Sequence, residues 1–513
     1  MENFGKDRTT FPPRQIWVVN PFDPLPNESD VALRYWAMCR AFAEQGHNVI
    51  WWSSDFFHLH KTKREPCPDT DGFRVRLIET PPYTKNISFA RLKNHKAFAD
   101  GFYFDAMAGL NSGELQAPDR IIVSLPPLGV AESAFRIRDY LRKEKSVKQT
   151  DKNAYTKMPC EVVVDIMDAW PEAFYQVLPK RLRSFLGSIL LASMHRSAKR
   201  AYQGADKISG VGQSYLDIAQ RYLQSERDNP NGLDHAKKVT GVSLLQTPLH
   251  LCYHGTDLSR FDLDKVAGMA ASSDEATRNS TTIGLPQNTP LRAVYLGSMG
   301  SGYDLQTIID TAARWKLDDI FPFQVHFAGT GLQLEKLKVR CKELGLLTPK
   351  RLPRCGSEHE SFDNSSASNE GLSAARVVFH GFLKKDAINN LLLSSDLALV
   401  PNRPDSLVAC PYKAGEYAAA SLPMLSCLKG ELDELLNHWN AGSGYNEGDA
   451  ASLQAAFGRY LTDLNLLKQQ RFNARKMAEA LFDQGKSYQK LSEFILMPSP
   501  RENNAIVECI MPD

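Results

Sequence analysis

The chain has 513 residues, of which 43% are hydrophobic and 23% charged, and its formal net charge is only +2. This composition is typical of a globular protein of about two to four domains, and so small a charge does not indicate a nucleic-acid partner. The nine cysteines form no CxxC pair, which favours free thiols in a reducing compartment. The N-terminus lacks the apolar core of a signal peptide and no apolar run has the length of a membrane span. We therefore expect a cytoplasmic protein, for which peripheral contact with the inner face of the cytoplasmic membrane stays open.

Segments typical of strands and of helices alternate along the first half of the chain. The predicted strands are residues 15–20, 48–54, 74–80, 120–126, 161–168, 207–212 and 249–255. The predicted helices are residues 29–45, 89–110, 130–143, 182–201 and 213–222. Strands such as IWVVN and EVVVDI are continuous apolar runs, which indicates a parallel sheet covered by helices on both faces.

The second half of the chain repeats this alternation. Strands are predicted at 291–297, 323–329, 375–381, 397–401 and 423–427, with helices that begin near Asp304, Gly331, Lys384, Tyr412 and Glu431. We therefore predict an α/β protein with two doubly wound, Rossmann-like domains. The predicted division is an N-terminal domain at 1–261, a linker or insertion at 262–290, a C-terminal domain at 291–480, and at 481–513 a helix that returns toward the N-terminal domain and ends in a frayed tail. Polar, low-complexity composition predicts surface loops at 229–241 and 354–373.

The segment LALVPNRPDSLVACPYKAGEYAAASLPMLS, residues 397–426, carries the strongest functional signal. It predicts a strand, a Pro-rich loop and a helix that presents Lys413 and Glu416 at the carboxyl edge of the sheet, where open α/β sheets bind ligands. A lysine beside the exposed N–H groups of a helix start attracts phosphate. A carboxylate one turn later can accept hydrogen bonds from sugar hydroxyls. The pair therefore favours a ligand that is part phosphate and part polyol, such as a nucleotide sugar.

Glycine-rich turns follow three strands of the same predicted domain. In LGSMGSGYD, Gly297, Gly300 and Gly302 are typical either of a backbone cradle for an anion or of an ordinary strand–helix turn. Their spacing is not the G-x-G-x-x-G of dinucleotide binding, which disfavours a dehydrogenase. The turns in HFAGTG and VFHGFL supply further candidates, and those for a nucleobase slot are Gly329, Thr330 and Phe382.

The loop after the first strand, NPFDPLPNESD, has two interpretations. Asn27 and Glu28 are candidates for acceptor binding if they point into a ligand cleft. The favoured alternative is that Ser29 or Asp30 simply caps the following helix.

Two carboxylates end the apolar strand that reads EVVVDIMD. Charged groups there need partners or solvent, so we expect Asp168 to lie in a cleft and to orient or deprotonate an acceptor hydroxyl. A capping role or an ion pair with an arginine is an equal alternative. The neighbouring Trp170 is a further candidate for acceptor binding.

The order of these motifs resembles the family 4 retaining glycosyltransferases, which have the GT-B fold. The pieces that carry the likeness are VNPFDPLPNESDVALRYWAMCRAFAEQGHNVIWWSSDFFH, VVDIMDAWPE, YQGADKISGVGQSYLD, YHGTDLSRF, VYLGSMGSGYDL, HFAGTG, VVFHGFL and YKAGEYAAASLPML. They cover most of residues 16–436 in the expected order. The branch that they resemble most adds N-acetylated sugars such as FucNAc during bacterial surface-polysaccharide synthesis.

This resemblance implies two domains that face a central cleft, and transfer from a UDP-sugar, with retention, to a lipid-linked or glycan acceptor. It implies that Glu416 binds the ribose, that Lys413 lies near the diphosphate and acts in catalysis, and that the turn 297–300 with Ser298 cradles phosphate. The first glutamate of the usual E-x7-E pair is missing near Val408, where Asp405 or Ser406 is a candidate replacement. The Arg and Lys usual after the phosphate-loop glycine in other branches are also absent, which leaves Lys413 and Arg403 as the candidate cations.

Two other functions remain open at this stage: a nucleotide-sugar epimerase of the same fold and a non-catalytic scaffold that binds nucleotide sugars. No histidine has the spacing of metal ligands, and the resemblance likewise implies no metal or other cofactor. His47, His58 and His254 are interpreted as a structural, a surface and a hinge residue. The basic, amphipathic segment 180–200 is interpreted as a core-facing helix in preference to a membrane-binding one.

Overall fold

The computed structural model describes residues 12–148, 159–177, 185–224, 247–262, 290–315, 323–347 and 376–499. These residues form two compact units. Unit 1 contains the chain up to Gly255, the segment Leu407–Cys410 and the residues from Leu481 onward, whereas unit 2 contains Thr256–Ser406 and Pro411–Ala480. The predicted loops at 229–241 and 354–373, the interior of the linker at 262–290 and the frayed tail lie outside the described residues.

Unit 1 is built around a seven-stranded parallel sheet. Its strands are β1 Gln15–Val19, β2 Asn48–Ser54, β5 Phe73–Ile78, β6 Arg120–Leu125, β7 Glu161–Ile166, β8 Lys207–Gly210 and β9 Leu249–Leu251, while β3 Phe56–Phe57 and β4 Thr62–Lys63 form a separate hairpin. The order in the sheet is β5-β2-β1-β6-β7-β8-β9, with every neighbouring pair parallel. The carboxyl ends of all seven strands therefore meet at one edge.

Helices cover both faces of this sheet, as its continuous apolar strands require. They are α1 Arg34–Glu44, α2 Phe89–Ser112, α3 Leu128–Lys148, α4 Phe174–Val177, α5 Phe185–Gly204, α6 Gln213–Gln224 and the C-terminal α14 Gln484–Leu496. One core contains Trp17 and Trp52 with residues of α2, α3, α5 and α6, and the other contains Trp51 with residues of α1 and α14.

Unit 2 repeats the architecture with a six-stranded parallel sheet. Its strands are β10 Leu291–Leu296, β11 Phe323–Ala328, β12 Val377–Gly381, β13 Leu397–Val400, β14 Met424–Ser426 and β15 Gly442–Gly444, in the order β12-β11-β10-β13-β14-β15. Its helices are α7 Leu305–Arg314, α8 Leu334–Glu343, α9 Lys385–Leu393, α10 Tyr412–Ala419, α11 Glu431–Trp439, α12 Ala450–Thr462 and α13 Leu464–Met477. The prediction of two Rossmann-like domains is thus confirmed.

The first helix starts later than the sequence predicts, and the expected cap is wrong. The helix begins at Arg34, and Leu33 at its N-cap position makes no side-chain capping bond. Ser29 instead accepts a hydrogen bond from the N–H of Val31, two residues away. The carboxylate that accepts a bond from the helix is Asp23, whose Oδ2 lies 3.1 Å from the N–H of Tyr35. A long loop after β1 brings this residue back to the helix start.

A buried ion pair joins α1 to the centre of the unit 1 sheet. Arg34 and Asp165 have side chains only 1% and 0% exposed, and two N–H groups of the guanidinium donate to the carboxylate at 2.8 Å each. The hydroxyls of Tyr35 and Ser209 donate to the same carboxylate at 2.7 and 2.6 Å. Burial alone would raise the pKa of Asp165, but the charge of Arg34 and these hydrogen bonds hold it below its usual value. Asp165 is therefore a structural residue.

Replacing Asp165 by Asn should lower the free energy of unfolding by about 3–5 kcal/mol, because Arg34 would stay charged and buried without a counter-charge. The matched control is Asp105→Asn, which breaks a partly exposed pair with Arg76 and should cost about 1 kcal/mol or less. Urea unfolding measures both variants. Equal, small losses would show that the buried pair does not stabilise the sheet.

Candidate functional site

Three adjacent strands of unit 2 end in glycines that pack backbone against backbone. Gly297 and Gly329 follow β10 and β11, and Gly381 ends β12; their φ angles are 133°, 137° and 69°. The N–H of Gly297 donates to Ala328 O at 2.9 Å, and that of Gly329 donates to Gly381 O at 2.7 Å. A Cβ on Gly329 would lie 1.9 Å from the carbonyl oxygen of Gly297. Only glycine permits this approach, so the three turns form one backbone surface at the carboxyl edge of the sheet.

Lys413 lies in the first turn of α10 and extends toward this surface. A Cβ on Gly297 would lie 2.8 Å from its Nζ, which also lies 4.3 and 4.8 Å from the ring centroids of Tyr295 and Tyr303. Among the described residues, this buried Nζ has no hydrogen-bond acceptor. Burial lowers the pKa of Lys413 to about 7, against the opposing effect of Glu416. The arrangement favours an anionic ligand, which would supply both an acceptor and a counter-charge.

Glu416 lies one turn further along the same helix and forms an ion pair that sequence analysis missed. Its Oε1 lies 3.0 Å from Nη1 of Arg260, whose Nη2 donates to Oδ1 of Asn389 at 2.9 Å. Burial raises the pKa of Glu416, against the opposing charges of Arg260 and Lys413. Arg260 is part of YHGTDLSRF, a piece of the family resemblance, so a signal for it was present in the sequence.

The remaining predicted donor residues lie around the same turns. Ser298 is exposed and its carbonyl oxygen accepts a bond from the hydroxyl of Tyr295 at 2.6 Å, while the carbonyl oxygen of Thr330 accepts one from Met299 N. Phe382, the residue after β12, is 80% exposed, so its ring is accessible for stacking on a ligand. The Cβ of a residue at Gly300 would lie 3.6 Å from Oγ of Ser298, which is ordinary contact.

Arg403 is close to the first turn but is already paired. Its Nε donates to the carbonyl oxygen of Ser301 at 2.9 Å, and its Nη1 contacts the carboxylate of Glu447. The guanidinium is therefore partly neutralised. Of the two predicted cations, Lys413 is the one whose charged atom has no acceptor among the described residues.

In unit 1, Asp168 and Trp170 lie just beyond the carboxyl end of β7. Oδ1 of Asp168 accepts a hydrogen bond from Ala169 N at 2.9 Å. Burial raises the pKa of Asp168, although this local bond and the charge of Arg91 act in the opposite direction. The ring of Trp170 lies 5.3 Å from the ring of His95, and the guanidinium of Arg91 lies over it at 5.3 Å. A carboxyl with a raised pKa is suited to proton transfer.

The other predicted acceptor residues hold a loop together. Oε2 of Glu28 accepts a bond from Leu25 N at 2.8 Å, and its Oε1 lies 3.3 Å from Nε of Arg64. Asn27 is exposed and donates to Pro66 O at 3.4 Å. Within the described ranges, neither side chain makes a hydrogen bond or ion pair to Asp168 or Trp170.

Beside Trp170, sequence analysis missed a cluster of basic and aromatic side chains: Phe22, His58, Lys61, Tyr83, Arg91 and His95. They come from three separate loops and from α2, which meet at the carboxyl edge of the sheet. The sequence favours a surface position for His58, but its Nδ1 contacts the hydroxyl of Tyr83, which is buried. A groove of about 410 Å³ begins at His95 and Trp170 and runs between α2, α3 and α5.

Residues 291–463 match the family model described as Glycosyl transferases group 1. That range contains all the predicted donor-binding residues. No curated protein matches the chain by sequence. Apart from Leu407–Cys410, the matched range lies within unit 2, and the match supports a glycosyltransferase.

Several solved structures share the fold of the whole chain at low sequence identity. Sucrose-phosphate synthase from Thermosynechococcus elongatus is 13% identical, with a TM-score of 0.59 over 94% of this chain and 98% of that chain. WaaG, a glycosyltransferase involved in lipopolysaccharide biosynthesis, is 13% identical, with a TM-score of 0.54 over 94% and 99%. Anabaena HepE in complex with UDP and glucose is 12% identical, with a TM-score of 0.53 over 94% and 99%. These similarities show the GT-B fold.

The described residues contain neither a candidate metal site nor a candidate membrane-spanning helix. No group of three or more His, Cys, Asp or Glu side chains there is placed to hold a metal ion. None of the helices in that part of the chain combines the length and the apolar character that crossing a membrane requires.

Gly329→Ala should lower the free energy of unfolding by at least about 1–3 kcal/mol, because an added Cβ would collide with Gly297 O in a backbone conformation that favours glycine. Gly302→Ala is the matched control, since a Cβ there would meet nothing within 4 Å. Chemical unfolding compares the two. A neutral Gly329→Ala would contradict the packed-backbone geometry.

Lys413→Met should raise the free energy of unfolding at pH 6.5 by about 1–3 kcal/mol, the order of cost for a buried polar group without a hydrogen bond. The pKa of Lys413 is about 7 in the folded chain and 10.5 in the reference state, so between these values the unfolded chain binds more protons. The wild type therefore gains stability relative to the variant as pH rises, and the difference should narrow by pH 9. Unfolding at both pH values measures this, with exposed Lys429→Met as the control. A difference that does not change with pH would refute the shifted pKa.

Proposed function

We propose that this chain is a glycosyltransferase that moves a sugar from a nucleotide diphosphate, with UDP as the favoured nucleotide, to a hydroxyl of a lipid-linked or glycan acceptor. The observation that carries the proposal is the buried ammonium of Lys413, which lies against the Gly297 turn and has no hydrogen-bond acceptor among the described residues. The family match over 291–463 and a fold shared with a protein that was crystallised with UDP and glucose support the same class of donor.

The donor would lie along the carboxyl edge of the unit 2 sheet. Its diphosphate would meet the ammonium of Lys413, the start of α10 and the turn at 297–300. Its ribose would meet Glu416, which Arg260 holds in place and keeps as an acceptor of hydrogen bonds. Phe382 is exposed beside Gly381 and offers a ring for the base to stack on.

The chemistry follows from where charge develops. As the bond between sugar and diphosphate breaks, negative charge grows on the leaving phosphate, and a dehydrated ammonium beside it stabilises that charge strongly. With retention, the acceptor hydroxyl attacks on the face that the phosphate leaves, and the phosphate oxygen can take its proton. This route needs neither a metal nor a covalent intermediate on the protein.

The acceptor would bind to unit 1. Asp168, whose pKa burial raises, is the candidate to orient the acceptor hydroxyl, with Trp170 as a flanking ring. The same proposal assigns the chain to the branch that transfers N-acetylated sugars in surface-polysaccharide synthesis. It also includes a cytoplasmic location and peripheral contact with the membrane.

Incubation with a panel of UDP-, GDP- and TDP-sugars and with lipid-linked or glycan acceptors tests the activity. We expect acceptor-dependent release of UDP, and NMR of the product should show the anomeric configuration of the donor. Incubation with the donor alone is the control. An isomerised sugar would indicate an epimerase, and UDP binding without transfer to any acceptor would indicate a scaffold.

Two substitutions test the assigned roles. Lys413→Ala should lower kcat more than it raises KM, because the ammonium acts on charge that develops in the transition state. Glu416→Gln should weaken UDP binding by about 1.5–3 kcal/mol through loss of a charged hydrogen bond. Steady-state kinetics and calorimetry measure these effects, with Lys429→Ala as the control. If Glu416→Gln lowered only the melting temperature and left UDP affinity intact, its role would be confined to its pair with Arg260.

A further inference from the structure

Two cations of unit 1 converge on one residue at the carboxyl edge of the sheet. Nζ of Lys61 donates to Oδ1 of Asn86 at 2.6 Å, and Nη1 of Arg91 donates to the backbone oxygen of Asn86 at 2.9 Å. In the part of the chain that the structure describes, no carboxylate lies within ion-pair distance of either cation. By contrast, Arg34, Arg64 and Arg76 of the same unit each form an ion pair with an acid.

The other close neighbours of these cations are neutral. Nδ1 of His58 lies 3.2 Å from Nζ of Lys61, and Nε2 of His95 accepts a bond from Nε of Arg91 at 3.2 Å. Burial, reinforced by the nearby cations, lowers the pKa of His58 to about 4 and that of His95 to about 3. Both imidazoles are therefore uncharged at neutral pH. The acidic groups that act on Arg91 are the hydroxyl of Tyr83 and the carboxyl of Asp168, and burial raises the pKa of both.

The helix that carries Arg91 adds to the positive potential. Arg91 lies in the first turn of α2, a helix of 24 residues, and its N–H donates to the capping hydroxyl of Ser88. A cation at the positive end of a helix dipole is unfavourable unless an anion is bound there. Three sources of positive charge therefore meet: Lys61, Arg91 and the helix start.

The guanidinium of Arg91 is held in position by aromatic rings. It lies 5.6 Å from the ring centroid of Phe22 and 5.3 Å from that of Trp170. A fixed, planar fork of donors suits the oxygens of a phosphate. His95 and Trp170, which both contact Arg91, also line the groove of about 410 Å³. That groove has apolar side chains such as Leu92, Leu128 and Met194, and so offers space for the rest of a larger ligand.

We propose that Lys61 and Arg91 bind a phosphate or diphosphate group of the acceptor. The identification of this ligand as the acceptor rests on the proposed function, whereas the anion site itself is independent of that function. In this arrangement the phosphate occupies the cluster at the sheet edge, and the remainder of the acceptor extends along the groove beside Trp170. Lys61 and Arg91 are thus binding residues that select phosphorylated acceptors.

Calorimetric titration of inorganic pyrophosphate into the full chain tests the site, with UDP at saturation so that the donor site is occupied. We expect Arg91→Gln and Lys61→Gln each to weaken pyrophosphate binding by about tenfold or more, as for loss of a charge-assisted hydrogen bond. Lys93→Gln is the matched control: Lys93 is an exposed residue of the same helix, and this variant should bind within about twofold of wild type. Lys61 lies at the surface end of the cluster, so its variant reports on binding even if Arg91→Gln folds poorly.

The outcomes distinguish failure of the anion site from failure of the proposed glycosyltransferase function. Absence of pyrophosphate binding at saturating UDP, or equal affinity in all variants, would overturn the anion site and leave the donor site intact. Pyrophosphate binding that depends on Arg91, in a chain that binds none of UDP, GDP and TDP, would support the anion site and refute the proposed function. Farnesyl diphosphate and a hexose 1-phosphate, titrated in the same way, distinguish the source: tighter binding of the former assigns a lipid-linked acceptor, and of the latter a soluble sugar phosphate.

Discussion

The candidate donor site depends on one buried ammonium group, that of Lys413. Holding Lys413 against Gly297 costs solvation free energy, which the faces of Tyr295 and Tyr303 and the nearby charge of Glu416 offset only in part. The glycine after β10 leaves room for this approach, since a Cβ on Gly297 would lie 2.8 Å from Nζ of Lys413. A bound diphosphate would supply the missing acceptor, so the unfavourable free energy of the free site would become affinity or transition-state stabilisation.

Buried and partly buried charges among the described residues differ in how they are paired. The Arg34–Asp165 pair is fully hydrogen-bonded and joins α1 to the sheet, so its role is structural. Lys413 in unit 2, and Lys61 with Arg91 in unit 1, have no bonded carboxylate among the described residues. Both unpaired sets lie at the carboxyl edge of a parallel sheet, where such folds bind ligands. The state of pairing, more than the residue type, therefore separates structural charges from candidate binding charges.

Parts of the site could be predicted from sequence because they are local. Lys413 and Glu416 lie on one helix, and their spacing alone puts them one turn apart. Partners distant in the chain were missed: Arg260 beside Glu416, and the Arg91 cluster, whose members are brought together by separate loops. The edge strand β15 was also missed, because GSG has no apolar pattern and is a strand only through its pairing with β14.

The sequence by itself determined the alternation of strands and helices, the burial of both sheet faces and the glycine turns, because periodicity and backbone freedom are properties of short segments. Only the tertiary structure decided which charges are paired. Asp165 and Asp168 are three residues apart on one strand end, yet one bonds to a distant arginine and the other to its neighbour's N–H. A charged side chain acquires its role from groups that folding brings near, and pairing energies depend on distances and burial that no local pattern encodes.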